Sequence, residues 1–210
     1  MKNLKLPFVY MVCLLFAGLL LSAVPAADNG YQVGDTARDF KLKNVDGSMH
    51  SMADYKDAKG FIVTFTCNTC PYAIAYEDRL IELHQKYAPK GYPVVAINPN
   101  DAKVSPDDSY EQMQQRAKEK NFPFAYLHDE TQEITKAYGA TRTPHLYIVQ
   151  KQADGSMKVA YIGTIDDNSR DASKVQKKYA EAALDELVEN KQVSQPNTKA
   201  IGCTIKWRAA

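Results

Sequence analysis

Six consecutive apolar or β-branched residues, Phe61-Ile62-Val63-Thr64-Phe65-Thr66, run straight into Cys67-Asn68-Thr69-Cys70-Pro71. A run without alternation reads as a strand covered on both faces, which requires a sheet flanked by helices. Pro71 suits the first turn of a helix, where its missing N–H costs nothing, so two thiols fall where a strand hands over to a helix. A helix start offers unpaired N–H groups and a positive dipole end to a thiolate, the form of sulfur that attacks a disulfide. The spacing predicts Cys67 as the nucleophile and Cys70, one turn into the helix, as the thiol that resolves the mixed disulfide.

The rest of the chain extends this α/β pattern. Residues 92–97 read as a second buried strand, and Ser105-Pro106-Asp107-Asp108 caps a polar helix reaching about Lys120. A strand over 122–127, a short helix over 130–138 ended by Gly139, and strands over 145–149 and 157–162 around Asp154-Gly155 follow, with a last helix over 173–189. Upstream, 40–43 and 49–51 form a lead-in hairpin about Asp46-Gly47. The helix after Cys70 directs Ile74, Leu80, Ile81, Leu83 and Tyr87 at the sheet. The expected architecture is a central mixed sheet with helices on both faces, and the polar stretch 190–199 reads as a linker to a C-terminal tail.

The N-terminus bears on where such thiols work. Lys2 and Lys5 precede an apolar run over 6–21 and the small residues Ser22-Ala23-Val24-Pro25-Ala26-Ala27. This is the pattern of a cleaved secretory signal over 1–26, leaving a domain over 27–190 and a tail over 191–210, with an uncleaved N-terminal membrane anchor as the alternative. Cleavage removes Cys13 and leaves Cys67, Cys70 and Cys203 in a periplasmic or secreted protein. An odd count in a compartment that permits disulfides argues for redox work over a purely structural framework. Loss of Lys2 and Lys5 takes the formal charge from +1 to −1, and no basic cluster marks a nucleic-acid partner.

A strand, Cys-x-x-Cys-Pro, a long helix and a later Thr143-Pro144 opening a strand together resemble the thioredoxin-like superfamily, in its larger redoxin or peroxiredoxin-like branch, the relatives of alkyl hydroperoxide reductase and thiol-specific antioxidant. The resemblance covers roughly residues 33–189. It implies a thiol-disulfide oxidoreductase that needs no cofactor and exchanges with protein or small thiol partners, recycled by a separate reductase or oxidase. It also implies that Pro144 is cis and that Thr143-Pro144 presents main-chain groups to an extended partner segment. The closing Ala200-Ile201-Gly202-Cys203-Thr204-Ile205-Lys206-Trp207 is similar to the tail of a peroxiredoxin-like group carrying Cys-x-x-Cys, with Cys203 either a second resolving thiol or a buried small hydrophobe. Two positions depart from thioredoxins: Thr66 replaces the Trp before the pair, and Phe61 replaces a buried acid, so another relay or water must move the proton.

Two other functions are compatible with some of these residues. The peroxiredoxins that the chain resembles hold the oxyanion-like transition state with Pro-x-x-x-Thr-x-x-Cys and a distant Arg; aligned on Cys67, Thr64 and Arg142 are the candidates, although Gly60 stands at the proline. Aligning on Cys70-Pro71 instead puts Cys67 on the threonine and Val63 on the proline. A copper or zinc carrier would use Cys67 and Cys70 with His145 or His128, but no further paired ligands complete that set.

Overall fold

The computed structural model describes residues 30–209; the signal segment expected over 1–26 lies outside them. In chain order the strands and α-helices are β1 (Thr36–Ala37), β2 (Leu42–Asn44), β3 (Met49–His50), β4 (Gly60–Phe65), α1 (Pro71–Tyr87), β5 (Val94–Asn98), α2 (Tyr110–Lys120), β6 (Ala125–His128), α3 (Glu133–Tyr138), β7 (Arg142–Thr143), β8 (His145–Lys151), β9 (Met157–Gly163), α4 (Tyr179–Val188) and β10 (Cys203–Thr204).

Eight strands form one mixed sheet in the order β1-β9-β8-β4-β5-β6-β2-β3, while β10 and β7 make a separate pair. β4, β5 and β6 run parallel, and β8 lies antiparallel to β4 with Phe65 opposite His145. Every residue of β4 is buried, as its unalternated composition requires. Ile62 faces a core with Tyr76, Leu80 and Leu83 of α1, Met113 of α2 and Leu184 and Leu187 of α4. Phe61, Val63 and Phe65 face the opposite core with Ile134 and Tyr138 of α3, and with Ile205 from the chain's end. Each fully buried Leu or Phe contributes roughly 1.5–3 kcal/mol, so both faces anchor the central strand. The outermost strands, β1 and β3, are only two residues each.

The expected α/β architecture is present, with local differences that have physical causes. The buried stripe of α1 is Ala73, Tyr76, Leu80, Leu83 and Tyr87, spaced alternately by three and four residues, and Ile74 falls one position off it at 39% exposure. α2 is capped by Ser109, whose side chain accepts from the Gln112 amide, while Pro106–Asp108 forms a separate 3-10 turn because the Asp108 side chain turns inward. α4 begins at Tyr179, not near 173, because the Asp171 carboxylate takes the Ser173 amide and hydroxyl and holds Ala172–Lys174 in its own turn. The stretch 190–199 is not a free linker. Val193 is buried, Asn197 bridges Ile162, and Thr198 binds the Tyr161 hydroxyl and the Thr164 amide.

Candidate active site

The Cys-x-x-Cys loop lies at the carboxyl end of β4, and the antiparallel register of β8 brings the Thr143–Pro144 peptide, which is cis, alongside it. Thr143 is fully buried and meets both thiols. The Cys67 sulfur is 3.2 Å from its hydroxyl, and the Cys70 sulfur is 3.0 Å from its carbonyl oxygen. The two cysteines and the Thr143-Pro144 pair singled out in the sequence therefore meet at one place.

The helix begins later than the sequence spacing suggested. α1 starts at Pro71 with Cys70 as its N-cap, so Cys70, and not Cys67, stands at the mouth of the helix, and it is not a turn inward. The thiol of Cys67, then that of Cys203, and the amides of Ala73 and Cys203 all favour a Cys70 anion and hold its pKa well below the ordinary thiol value against the cost of burial. When protonated, the Cys70 thiol donates to the Thr143 carbonyl at 3.0 Å, a contact that favours the thiol over the anion. Cys67 moves the opposite way: its hydrogen bond to Cys70, its burial and the charge of Asp108 push it up, keeping it a thiol.

Asp108 organises the loop from behind and was not singled out in the sequence. It is fully buried; Oδ1 accepts from the Asn68 amide at 2.7 Å, and Oδ2 accepts from Thr69 Oγ1, Asn100 Nδ2 and Ser105 Oγ at 2.7–2.8 Å. Tyr126 donates to Asn68 Oδ1, and Asn68 Nδ2 to the Asp107 carbonyl, closing the network. The available signal was the polar run Asn98-Pro99-Asn100-Asp101 directly after a buried strand, since polar residues buried there need each other as partners.

The tail docks across this site. β10 pairs antiparallel with β7, Cys203 opposite Thr143, so the main-chain edge expected to receive a partner's extended segment is held by the protein's own chain. Cys203 Sγ lies 2.7 Å from Cys70 Sγ, and its amide donates to that sulfur at 3.3 Å. Cys67 and Cys70 are each only 3% exposed, whereas Cys203 is half-buried. Burial and the adjacent Cys70 push the Cys203 thiol up to about 11.

The remaining candidates are elsewhere or otherwise engaged. The Thr64 hydroxyl is fully buried in β4 and makes no hydrogen bond. Arg142 Nη1 donates to the Gly202 carbonyl of the tail at 3.2 Å. His145 packs on Tyr147, with ring centroids 4.8 Å apart, and burial lowers its pKa to about 4. His128 lies against Tyr110 at 6.0 Å and is also shifted down by burial. Among the described residues no group of three or more His, Cys, Asp or Glu side chains is arranged to hold a metal ion. No helix among them is long and apolar enough to cross a membrane.

The AhpC/TSA family profile matches residues 33–161. A solved structure described as an uncharacterized conserved protein from Geobacillus kaustophilus superposes with a TM-score of 0.79 at 39% identity, covering 87% of this chain and 95% of that one. A thiol:disulfide interchange protein of the thioredoxin family from Chlorobium tepidum TLS has the same fold, with a TM-score of 0.51 at 20% identity over 67% of this chain and 92% of its own. Among curated proteins, thiol-disulfide oxidoreductase ResA of Geobacillus thermodenitrificans is 26% identical over 136 residues, 63% of this chain and 71% of its own length. The fold is thioredoxin-like.

Proposed function

The chain belongs to the AhpC/TSA family and is an oxidoreductase, and from that premise we propose that Cys67 and Cys70 are the working pair of an exported enzyme that exchanges disulfides with protein thiols. The observation that carries this reading is the convergence of both sulfurs on Thr143, beside the cis peptide bond and at the mouth of α1.

The geometry favours a division of labour that differs from the one suggested by spacing alone. Cys70 holds the stabilised anion and is the nucleophile: its thiolate attacks one sulfur of a disulfide, the bond to the other sulfur breaks, and that sulfur leaves as a thiolate. Cys67 then passes its proton to the partner thiolate expelled in the first step and attacks Cys70 in the mixed disulfide, releasing the reduced partner and leaving Cys67–Cys70 oxidised. Run backwards, the same steps oxidise a partner dithiol. Export rests on the N-terminal segment, and the recycling reductase or oxidase is a separate protein. Of the two residues that a peroxidase would aim at its oxyanion, Thr64 has its hydroxyl buried within β4 and Arg142 donates to the Gly202 carbonyl of the tail, which favours disulfide exchange over peroxide reduction.

The test is turnover in insulin reduction with dithiothreitol as electron source. Cys70→Ser falls to the uncatalysed background. The Cys67→Ser, Cys203→Ser double variant accumulates a mixed disulfide on Cys70, seen as a mass adduct. Unchanged turnover in Cys70→Ser removes the proposal.

A further inference from the structure

We propose that Cys203 is a third redox-active thiol, which forms a disulfide with Cys70 and is the sulfur that partner proteins touch. The inference rests on the Cys67/Cys70 reading and extends it to how a buried pair reaches its substrates.

The position of Cys203 is built rather than incidental. Gln132 Nε2 donates to the Lys206 carbonyl, Asn100 Oδ1 takes the Lys206 amide, and Arg208 pairs with Asp101 at 2.7 Å. Ile205 is 4% exposed in the same core as Phe65 and Tyr147. One residue before the thiol, the backbone passes so close to β7 that a Cβ on Gly202 would lie 2.1 Å from the Thr143 carbonyl oxygen. Only glycine permits that approach, and the approach carries the Cys203 sulfur to 2.7 Å from that of Cys70.

Exposure then assigns roles. Cys67 and Cys70 are each 3% exposed while the tail is docked, so half-buried Cys203 is the cysteine that a protein partner meets first and from which it passes to Cys70. In the oxidised form a partner thiolate attacks Cys203, the Cys70–Cys203 bond breaks, and Cys70 departs as the best-stabilised thiolate of the three. A second partner thiolate attacks the partner sulfur bound to Cys203, and Cys203 leaves as a thiolate. The partner dithiol has lost two electrons and become a disulfide, and the Cys70/Cys203 pair has gained them; reduction of a partner disulfide is the reverse. Internally, the Cys67 thiolate attacks Cys70 within Cys70–Cys203 and expels Cys203. This converts one disulfide into its isomer with no net electron transfer, so Cys70 is shared by a surface couple and a buried one.

Oxidation of the mature chain with glutathione disulfide, acid quenching, alkylation and peptide mass spectrometry test the link directly. Wild type should yield both Cys67–Cys70 and Cys70–Cys203 peptides, and Cys67→Ser should yield Cys70–Cys203 as its intramolecular disulfide. Absence of a Cys70–Cys203 peptide from both proteins overturns the inference. In Cys203→Ser, Cys67–Cys70 should still form with glutathione disulfide, while exchange with insulin slows by at least roughly tenfold because the cysteine that a partner meets first is gone. Wild-type insulin turnover in Cys203→Ser overturns the contact role yet leaves the Cys67/Cys70 pair standing. Turnover retained in Cys70→Ser would instead remove the underlying reading.

Discussion

The carboxylate of Asp108 accepts the backbone amide of Asn68 at 2.7 Å, tying the middle of the dithiol loop to a turn forty residues downstream. With the Thr69 hydroxyl donating to the same carboxylate, that contact fixes the loop. The two thiols are therefore clamped between a buried acid and a docked strand.

Replacing Asp108 by Asn leaves an amide where Thr69, Asn100 and Ser105 all donate to one oxygen. At least one buried donor then loses its acceptor, at a cost of roughly 1–3 kcal/mol. Urea unfolding should show that loss. Because the charge of Asp108 raises the Cys67 pKa, the pH profile of Cys67 alkylation should also shift to lower pH in Asp108→Asn.

Gly202→Ala should lift the tail from β7. The new methyl would meet the Thr143 carbonyl oxygen at 2.1 Å and its carbon at 2.5 Å, and both are backbone atoms that cannot swing aside. The strain is of the size of core overpacking, roughly 1–3 kcal/mol, and falls on the docked tail, with Ile205 the tail residue drawn from a main core. Iodoacetamide should modify Cys70 roughly tenfold faster as its cover is lost, with Trp207 fluorescence reporting the release.

Acid should weaken the fold through His145. Burial lowers its folded pKa to about 4, whereas the unfolded value is close to 6.5. The unfolded chain binds the extra proton first, so stability is fully present above pH 6.5, declines as pH falls through the window down to about 4, and then levels off. The total from this residue is on the order of 3 kcal/mol. Thermal melts of wild type and His145→Gln should run in parallel above pH 6.5 and separate as pH falls towards 4, where wild type loses the stability that the non-titrating variant keeps.

Thr64→Val separates a catalytic threonine from a structural one. The Thr64 hydroxyl is buried in β4 without a partner, so removing it should stabilise the protein by about 1 kcal/mol and leave insulin reduction unchanged. A large fall in turnover, or in peroxide consumption by the reduced protein, would instead place this hydroxyl in the chemistry.

What could be read from the sequence was what depends on local pattern. The run 61–66, the proline after Cys70 and the Thr-Pro pair carry their structural meaning in adjacent residues, and the structure contains the strand, the helix and the cis bond they imply. The exact position of the helix start was harder. A shift of three residues exchanges the roles of Cys67 and Cys70, and only the observed cap shows which sulfur meets the amides. Asp108 was beyond local reasoning because Asn68 lies 40 residues away in sequence, and Cys203 was legible only through the resemblance of its tail, with Cys70 lying 133 residues away. For the same reason, residues 190–199 looked like a polar linker although Thr198 is fastened to Tyr161 and Thr164.

The two-residue strands that bound the large sheet have a consequence for the protein's behaviour in bulk. A second molecule drifting against either border finds too few unpaired rungs of backbone to begin the open-ended stacking from which fibrils grow. Concentrated solutions should therefore resist seeding, even though the interior strands are rich in the residues such fibrils favour.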